Sequence, residues 1–251
     1  VPAAVVNPAW THAFARSDGR LAKTDPGDAL VLAHYAQQKQ PAPTPVPSAT
    51  TTELTDLTAY RDDLVAMRTM EKNRAQVMTG IVAPVIAAHI AELDARIGVV
   101  EEAITELLAT DPAWTARVAQ LQSVPGLSRV LAPQLAVGLP ELGTLDRRQI
   151  AALGGVAPHP QESGGRRKPR PLRGGRPTIR RVLYLMALSA VRCDPAMKAH
   201  YQQLLARGKQ KLVALLACAR RMLGILNAMV RDGLTWQQTR VGQGAFLPQP
   251  A

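Results

Sequence analysis

The chain has 251 residues, 47% of them hydrophobic, which is enough for one large domain or two small ones without help from disulfides or metal. Thirty Lys and Arg against 19 Asp and Glu leave +11, a surplus that favours a polyanionic partner because cations that neutralise phosphates release condensed counterions. Aromatics, at 4%, argue against carbohydrate clefts and stacking platforms, and Cys193 and Cys218 offer neither a disulfide framework nor zinc-ligand spacing, so a reduced, cytoplasmic setting is expected. No apolar run reaches the ~18 residues of a membrane span, and no basic stretch followed by an apolar one marks a signal peptide, so no membrane partner is expected.

In chain order, residues 1–40 read as a short α/β piece. Ala3 to Val6 is a candidate strand end, and Pro8 to Arg16 a short helix broken by Gly19. Asp25-Pro26 predicts a second helix, with Asp25 as N-cap and proline at the first helical position. Four prolines between Gln40 and Ser48 mark a stiff, extended linker (41–51) and a domain boundary. Residues 52–110 predict a long helical stretch broken near Gly80 and Pro84. After the break, Ile86, Ile90, Leu93, Ile97, Val100, Ile104 and Leu107 step alternately by four and three, an a/d seam over about three heptads. That seam fits an antiparallel helical hairpin and a coiled-coil dimerisation arm equally.

Residues 111–236 read as a second, mainly helical domain, followed by a tail at 237–251. Its helices are expected from Asp111-Pro112 to Gln122, then through Val137, then a short one after Asp146. Long helices then run at about 178–191, 195–207 and 209–231. Val124-Pro125-Gly126-Leu127 between two apolar helices has the form of a helix-hairpin-helix, whose turn amides at Pro125 and Gly126 can hold a phosphate. A plain helical corner uses the same residues for turn geometry.

The most unusual stretch is 163–181, which carries Arg166, Arg167, Lys168, Arg170, Arg173, Arg176, Arg180 and Arg181 and no acid. Its glycines and prolines put this charge on a loop that runs into a helix N-terminus, and both features favour phosphate oxygens. Ser163 stands at the mouth of the loop. A serine beside glycines is ordinarily a turn residue, and Pro160 separates it from His159, so no serine–histidine relay is forced. Arginines can instead stabilise a serine alkoxide and a pentavalent phosphate. Asp25 and Asp28, at i and i+3, lie on one helix face where they can share a hard cation. From spacing alone, capping by Asp25 and a favourable helix dipole at Asp28 explain them better, and two carboxylates make an incomplete metal site. The five histidines show no ligand spacing.

Taken together these stretches resemble the DEDD-type insertion-sequence transposases, the bridge-RNA-guided serine recombinases of the IS-one-ten family. The resemblance runs through Val6-Asn7-Pro8, Phe14-Ala15, Lys23-Thr24-Asp25 with Asp28-Ala29, and then Val124-Pro125-Gly126-Leu127. It continues with Leu139-Pro140-Glu141-Leu142-Gly143, 147–158, Ser163-Gly164, Gly174-Gly175-Arg176, Arg180 to Tyr184, Arg220 to Leu223 and Asn227-Ala228.

The resemblance implies a mainly α fold with three parts: a remnant of an α/β RNase H-like (RuvC-like) nuclease domain, a helical arm, and a C-terminal helical transposase domain. It also implies magnesium on an Asp-Glu-Asp-Asp set, a serine nucleophile that forms a 5′-phosphoserine with DNA, a structured guide RNA, and a homo-oligomer, dimer or tetramer. Carried over, Asp25 and Asp28 are the last two carboxylates of the set and Ser163 the nucleophile. The first Asp and the Glu would precede Val1, so an N-terminally truncated member with compromised catalysis is expected. The alternative from another class is a non-catalytic basic nucleic-acid-binding protein that grips phosphates with the helix-hairpin-helix and the arginine loop. A basic protein of membrane surfaces or ribosomes would explain the charge and leave the ordered motifs unexplained.

Overall fold

The computed structural model describes residues 3–19, 24–158, 162–163, 166–167, 172 and 174–242. The chain divides into two compact units, Val1–Ser48 and Ala49–Ala251.

The first unit is built on α1 (Pro8–Ser17) and α2 (Asp25–Lys39), joined by an edge-to-face contact of Phe14 on Tyr35 at 5.5 Å. Asn7 caps α1, its side chain accepting from Ala9 N–H. The N-cap of α2 is Thr24, one residue before the expected Asp25: its Oγ1 accepts from Gly27 N–H, which moves Asp25 inside the helix. The expected strand at Ala3–Val6 is absent. That segment is irregular and ties to Thr44, through Thr44 N–H to Ala3 O and Val5 N–H to Thr44 Oγ1, both 2.8 Å. Among the described residues of this unit Val31 and Tyr35 are the buried apolar ones, while Val5, Trp10, Leu30 and Leu32 are exposed.

The second unit opens with α3 (Ala49–Ala75) and α4 (Val82–Ala109), which pack against each other as an antiparallel hairpin. Gly80, at φ +69, supplies the left-handed residue in the turn. Ile86, Leu93, Ile97, Val100 and Ile104 of the seam are buried, and the last four share a core with Leu54 and Leu64 of α3. The seam therefore works within one chain, and each fully buried side chain contributes roughly 1.5–3 kcal/mol. Arg61 pairs with Glu101 at 2.6 Å and Arg68 with Asp94 at 2.6 Å, fixing the register from the rim.

The remaining helices enclose one continuous core. They are α5 (Pro112–Gln122), α6 (Leu131–Gly138), α7 (Arg147–Leu153), α8 (Pro177–Cys193), α9 (Pro195–Ala206), α10 (Lys211–Asp232) and α11 (Trp236–Gly242). Asp111, Asp146 and Asp194 cap α5, α7 and α9 with their side chains, and Asp146 and Gln149 form a full capping box. Helix α10 packs on α5, α7, α8 and α9 and buries Leu215, Met222, Leu223, Leu226 and Met229. By length and composition α10 could cross a membrane, against the expectation that no run would qualify, but half of its apolar window is buried inside this core. Part of the expected tail is helical: in α11, Trp236 is buried and its N–H donates to Ser123 Oγ at 3.0 Å. Among the described residues the only strands are β1 (Glu162–Ser163) and β2 (Arg166–Arg167), between α7 and α8.

Candidate functional site

The segment between α7 and α8 is drawn together at its base. Gly154-Gly155 ends one side and Gly174-Gly175-Arg176 the other. A side chain on Gly175 (φ +71) would lie 2.4 Å from both the Cα and the N of Gly155, so only glycine permits this approach of two backbones. Arg176 N–H donates to Leu153 O at 2.9 Å, and Arg180 donates from Nε to Gly155 O at 2.8 Å and from Nη2 to Gly174 O. The Arg176 guanidinium meets both oxygens of Glu141 at 2.6 and 2.7 Å and also reaches Gly138 O at 2.9 Å. Burial pushes the Glu141 carboxyl up, but its hydrogen bonds with Arg176 and its own backbone, with the nearby charges of Arg176 and Arg117, outweigh this and hold it below the usual carboxylate range. Above this neck, Pro158 bridges to Leu172, and β1 and β2 pair antiparallel with Ser163 opposite Arg166 and Glu162 opposite Arg167.

The structure thus places Ser163 on a short β-hairpin with Arg166 as its register partner, where the sequence suggested only a loop. Arg167 is on the same hairpin, while Lys168, Arg170 and Arg173 lie outside the described residues. The other three cations of the stretch are committed to the protein. Arg176 and Arg180 clamp the neck, and Arg181 of α8 reaches Asp62 of α3 at 2.5 Å. Asp62 also accepts from Gln134 Nε2 at 3.3 Å, so this contact links the helical hairpin, α6 and the start of α8.

Pro125 and Gly126 form a corner that packs inward. Gly126 has φ +93, and a Cβ there would lie 2.4 Å from Met186 O of α8. Leu127 N–H donates to Val124 O within the turn, and Leu131 N–H at the start of α6 donates to Ser128 Oγ. Close packing of two backbones therefore accounts for the glycine, as it does at Gly175.

Asp25 and Asp28 stand in the first turns of α2, the former exposed and the latter half-buried. Carboxylates of this kind suit a hard divalent cation. Among the described residues no group of three or more His, Cys, Asp or Glu side chains gathers at one place, so these two make part of a donor set and not a whole one.

Sequence reasoning missed three residues of consequence. Glu141 and Asp62 each neutralise a cation that had been assigned to nucleic acid. Buried Asn227 accepts from Gly143 N–H and donates to Leu145 O, both at 2.8 Å, fixing the approach to α7. Glu141 and Asn227 each lie within a motif that carries the resemblance, and that was their only signal, while Asp62 had none.

Comparison with known proteins bears on both units. Residues 118–202, which include Ser163 and the neck, match the family model described as Transposase IS116/IS110/IS902 family. Residues 1–82, which include Asp25 and Asp28, match the DEDD IS110-type model described as Transposase. The chain is 25% identical over 232 residues to the pilin gene-inverting protein of Moraxella bovis, covering 91% of this chain and 72% of that protein. It is 32% identical over 173 residues to the insertion element IS110 uncharacterized 43.6 kDa protein of Streptomyces coelicolor, covering 66% of this chain and 40% of the relative. A similar insertion element IS900 protein of Mycobacterium paratuberculosis matches at 32% over 163 residues, 62% of this chain and 39% of the relative. With matches to both models and relatives of this kind, the chain is a DNA transposase or recombinase, similar over residues 1–82 and 118–202 to the IS110/IS116 insertion-element family.

Proposed function

We propose that this transposase joins DNA strands through Ser163, held on the β1–β2 hairpin, and that a structured guide RNA supplies the choice of site. The observation that carries the reading is the neck. Two glycine pairs, Arg176 with Glu141, and Arg180 fix the base of the hairpin that bears the serine and its arginine register partner. Preorganised geometry of this kind lowers the cost of bringing a nucleophile to its target.

In the proposed step Ser163 Oγ attacks the phosphorus of a phosphodiester as its proton passes to a nearby base or water. The bond from phosphorus to the 3′-oxygen breaks, the 3′-oxygen leaves with a proton, and a 5′-phosphoserine remains. Attack by a 3′-hydroxyl of another strand reverses the chemistry and releases the serine, so no external energy source is needed. Arg166, Arg167, Lys168, Arg170 and Arg173 hold the phosphate backbone and balance charge on the pentavalent phosphorus. Pro125 and Gly126 are left out of that surface because their corner packs on α8. Asp25 and Asp28 would hold part of a magnesium site, and a bound Mg2+ supplies charge neutralisation for phosphate oxygens. The name of the Moraxella relative, a gene-inverting protein, fits strand exchange between two DNA sites.

Exchange between two sites needs more than one copy of the chain. The turn of the helical hairpin exposes Val77, Met78, Ile81, Val82 and Val85, an apolar surface suited to association as a dimer or tetramer. The partners are DNA and RNA, and the setting is the cytoplasm where both are found.

The test is DNA inversion or transposition in cells carrying a reporter. Ser163→Ala, Asp25→Asn and Asp28→Asn are each expected to abolish it while DNA binding persists. Recombination undiminished in Ser163→Ala would remove the serine from the mechanism and favour a non-catalytic nucleic-acid-binding role for this domain.

A further inference from the structure

Charge is unevenly distributed along this chain. Residues 163–231 hold sixteen Lys and Arg and a single carboxylate, Asp194, whereas the rest of the chain has fourteen cations and eighteen carboxylates. Seven of the sixteen lie well beyond the serine hairpin, between 195 and 231, a stretch with no acid at all. Arg207, Lys209 and Lys211 sit together on the turn that joins α9 to α10, and all three are exposed.

This turn has fixed geometry. Gly208, at φ +76, closes α9: its N–H donates to Leu205 O at 2.9 Å and the next N–H, of Lys209, to Leu204 O at 3.1 Å. Among the described residues no carboxylate makes an ion pair with any of the three cations. Nearby, Arg221 Nη1 of α10 lies 3.2 Å from His200 Nδ1 of α9. Burial, then the charges of Arg221 and Arg207, push His200 below the usual histidine range.

Helix capping explains part of this pattern and not the rest. Arg207 suits the C-terminus of α9. Lys211 stands at the first residue of α10, where the helix dipole disfavours a cation. Gln210 makes no side-chain cap there, and the first turn has no acid. Stability alone would place Asp, Ser or Thr at this position. A phosphate gains from both the lysines and the uncapped amides.

We propose that the α9–α10 turn is a second nucleic-acid surface, which grips the backbone of duplex DNA apart from the strand joined at the serine hairpin. Duplex fits better than single strand, because Tyr201 is the only aromatic residue on α9 or α10 and is half-buried, leaving no platform for unpaired bases. DNA is what a transposase acts on, and residues 118–202 match a transposase model. Contacts of this type position the protein without reading sequence. The inference does not depend on Ser163 being the nucleophile.

The experiment is anisotropy titration of the full chain with duplex DNA across a salt series, comparing R207Q/K209Q/K211Q with a control, R16Q/K39Q/K72Q, that removes equal charge elsewhere. The turn variant is expected to lower the salt slope by about 2.7, or about 0.9 per lost contact, with an unchanged unfolding midpoint and an unchanged affinity for a structured RNA. The control is expected to lower it by less than about half a unit. An unchanged slope, an equal fall in the control, or a loss confined to RNA each overturns the proposal. Covalent adduct formation at saturating DNA, measured on the same variant, reports separately on the serine.

Discussion

Arg176 and Glu141 form a two-pronged ion pair across 35 residues of sequence, with both guanidinium nitrogens and both carboxylate oxygens engaged at 2.6 and 2.7 Å. The pair joins the loop after α6 to the first residue before α8, so the hairpin carrying Ser163 is tethered to the core and not only to its own neck. A planar fork that meets a carboxylate in this way is not replaced by lysine.

Arg176→Lys and Glu141→Gln are therefore expected to lower stability by about 1–2 kcal/mol, a figure discounted because both side chains are about a third exposed. The contribution of Glu141 is fully present above its ordinary value near 4.5 and is lost as pH falls through its lowered folded value. Urea unfolding between pH 7 and pH 3 checks this. The native chain should lose stability over the acid limb, and Glu141→Gln should lose less. Identical acid limbs would mean that the pair contributes nothing.

The neck makes a sharper prediction at its glycines. Gly174 and Gly175 both have φ near +70, yet a Cβ on Gly174 meets nothing within 4 Å while one on Gly175 strikes the backbone of Gly155. Gly174→Ala should cost only the left-handed strain, roughly 1–2 kcal/mol. Gly175→Ala adds overpacking and should cost roughly 2–5 kcal/mol in all. Equal losses in thermal unfolding would refute the close approach.

The arginines of 163–181 should divide into two classes. Arg166→Gln and Arg167→Gln are expected to reduce the salt slope of DNA binding by about 0.9 each with little effect on unfolding. Arg176→Gln, Arg180→Gln and Arg181→Gln are expected to act the other way, lowering the unfolding midpoint and changing the slope by less than about half a unit. Slopes that fall alike in all five variants would contradict the inward assignment of the last three.

The two cysteines offer an independent check on the core. Cys193 is exposed, whereas Cys218 is buried in α10 and its thiol is pushed up to about 11 by burial, an effect that the nearby Arg221 only partly offsets. A maleimide at neutral pH should label one thiol quickly and the other only after denaturant is added. Rapid labelling of both would show that α10 is not packed as described.

Much of the helical frame was legible because its signals are local. Asn7-Pro8, Asp111-Pro112 and Asp194-Pro195 each announce a capped helix start, and the seam from Ile86 to Ile104 shows one buried face. The same local logic misplaced the cap of α2 by one residue, since Thr24 and Asp25 can both accept from a first-turn amide and the backbone chose Thr24. What could not be read was anything set by contacts distant in sequence. Gly126 looks like a turn glycine until α8 is laid against it. Arg176 and Arg181 look like free cations until Glu141 and Asp62 arrive from other helices. The i, i+3 spacing put Asp25 and Asp28 on one helix face but suited capping better, and Ser163 read first as a turn residue, so the resemblance is what gave all three a catalytic role.

The central claim is that Ser163 becomes covalently attached to DNA, and the most direct measurement is a denaturing gel followed by peptide mapping. The chain is incubated with labelled duplex carrying insertion-element ends, Mg2+ and the element's structured RNA. The account predicts a retarded protein–DNA band that is lost in Ser163→Ala, with the modified peptide containing residue 163. A band that persists in Ser163→Ala, a modification mapped to another residue, or binding with no adduct at all would contradict it.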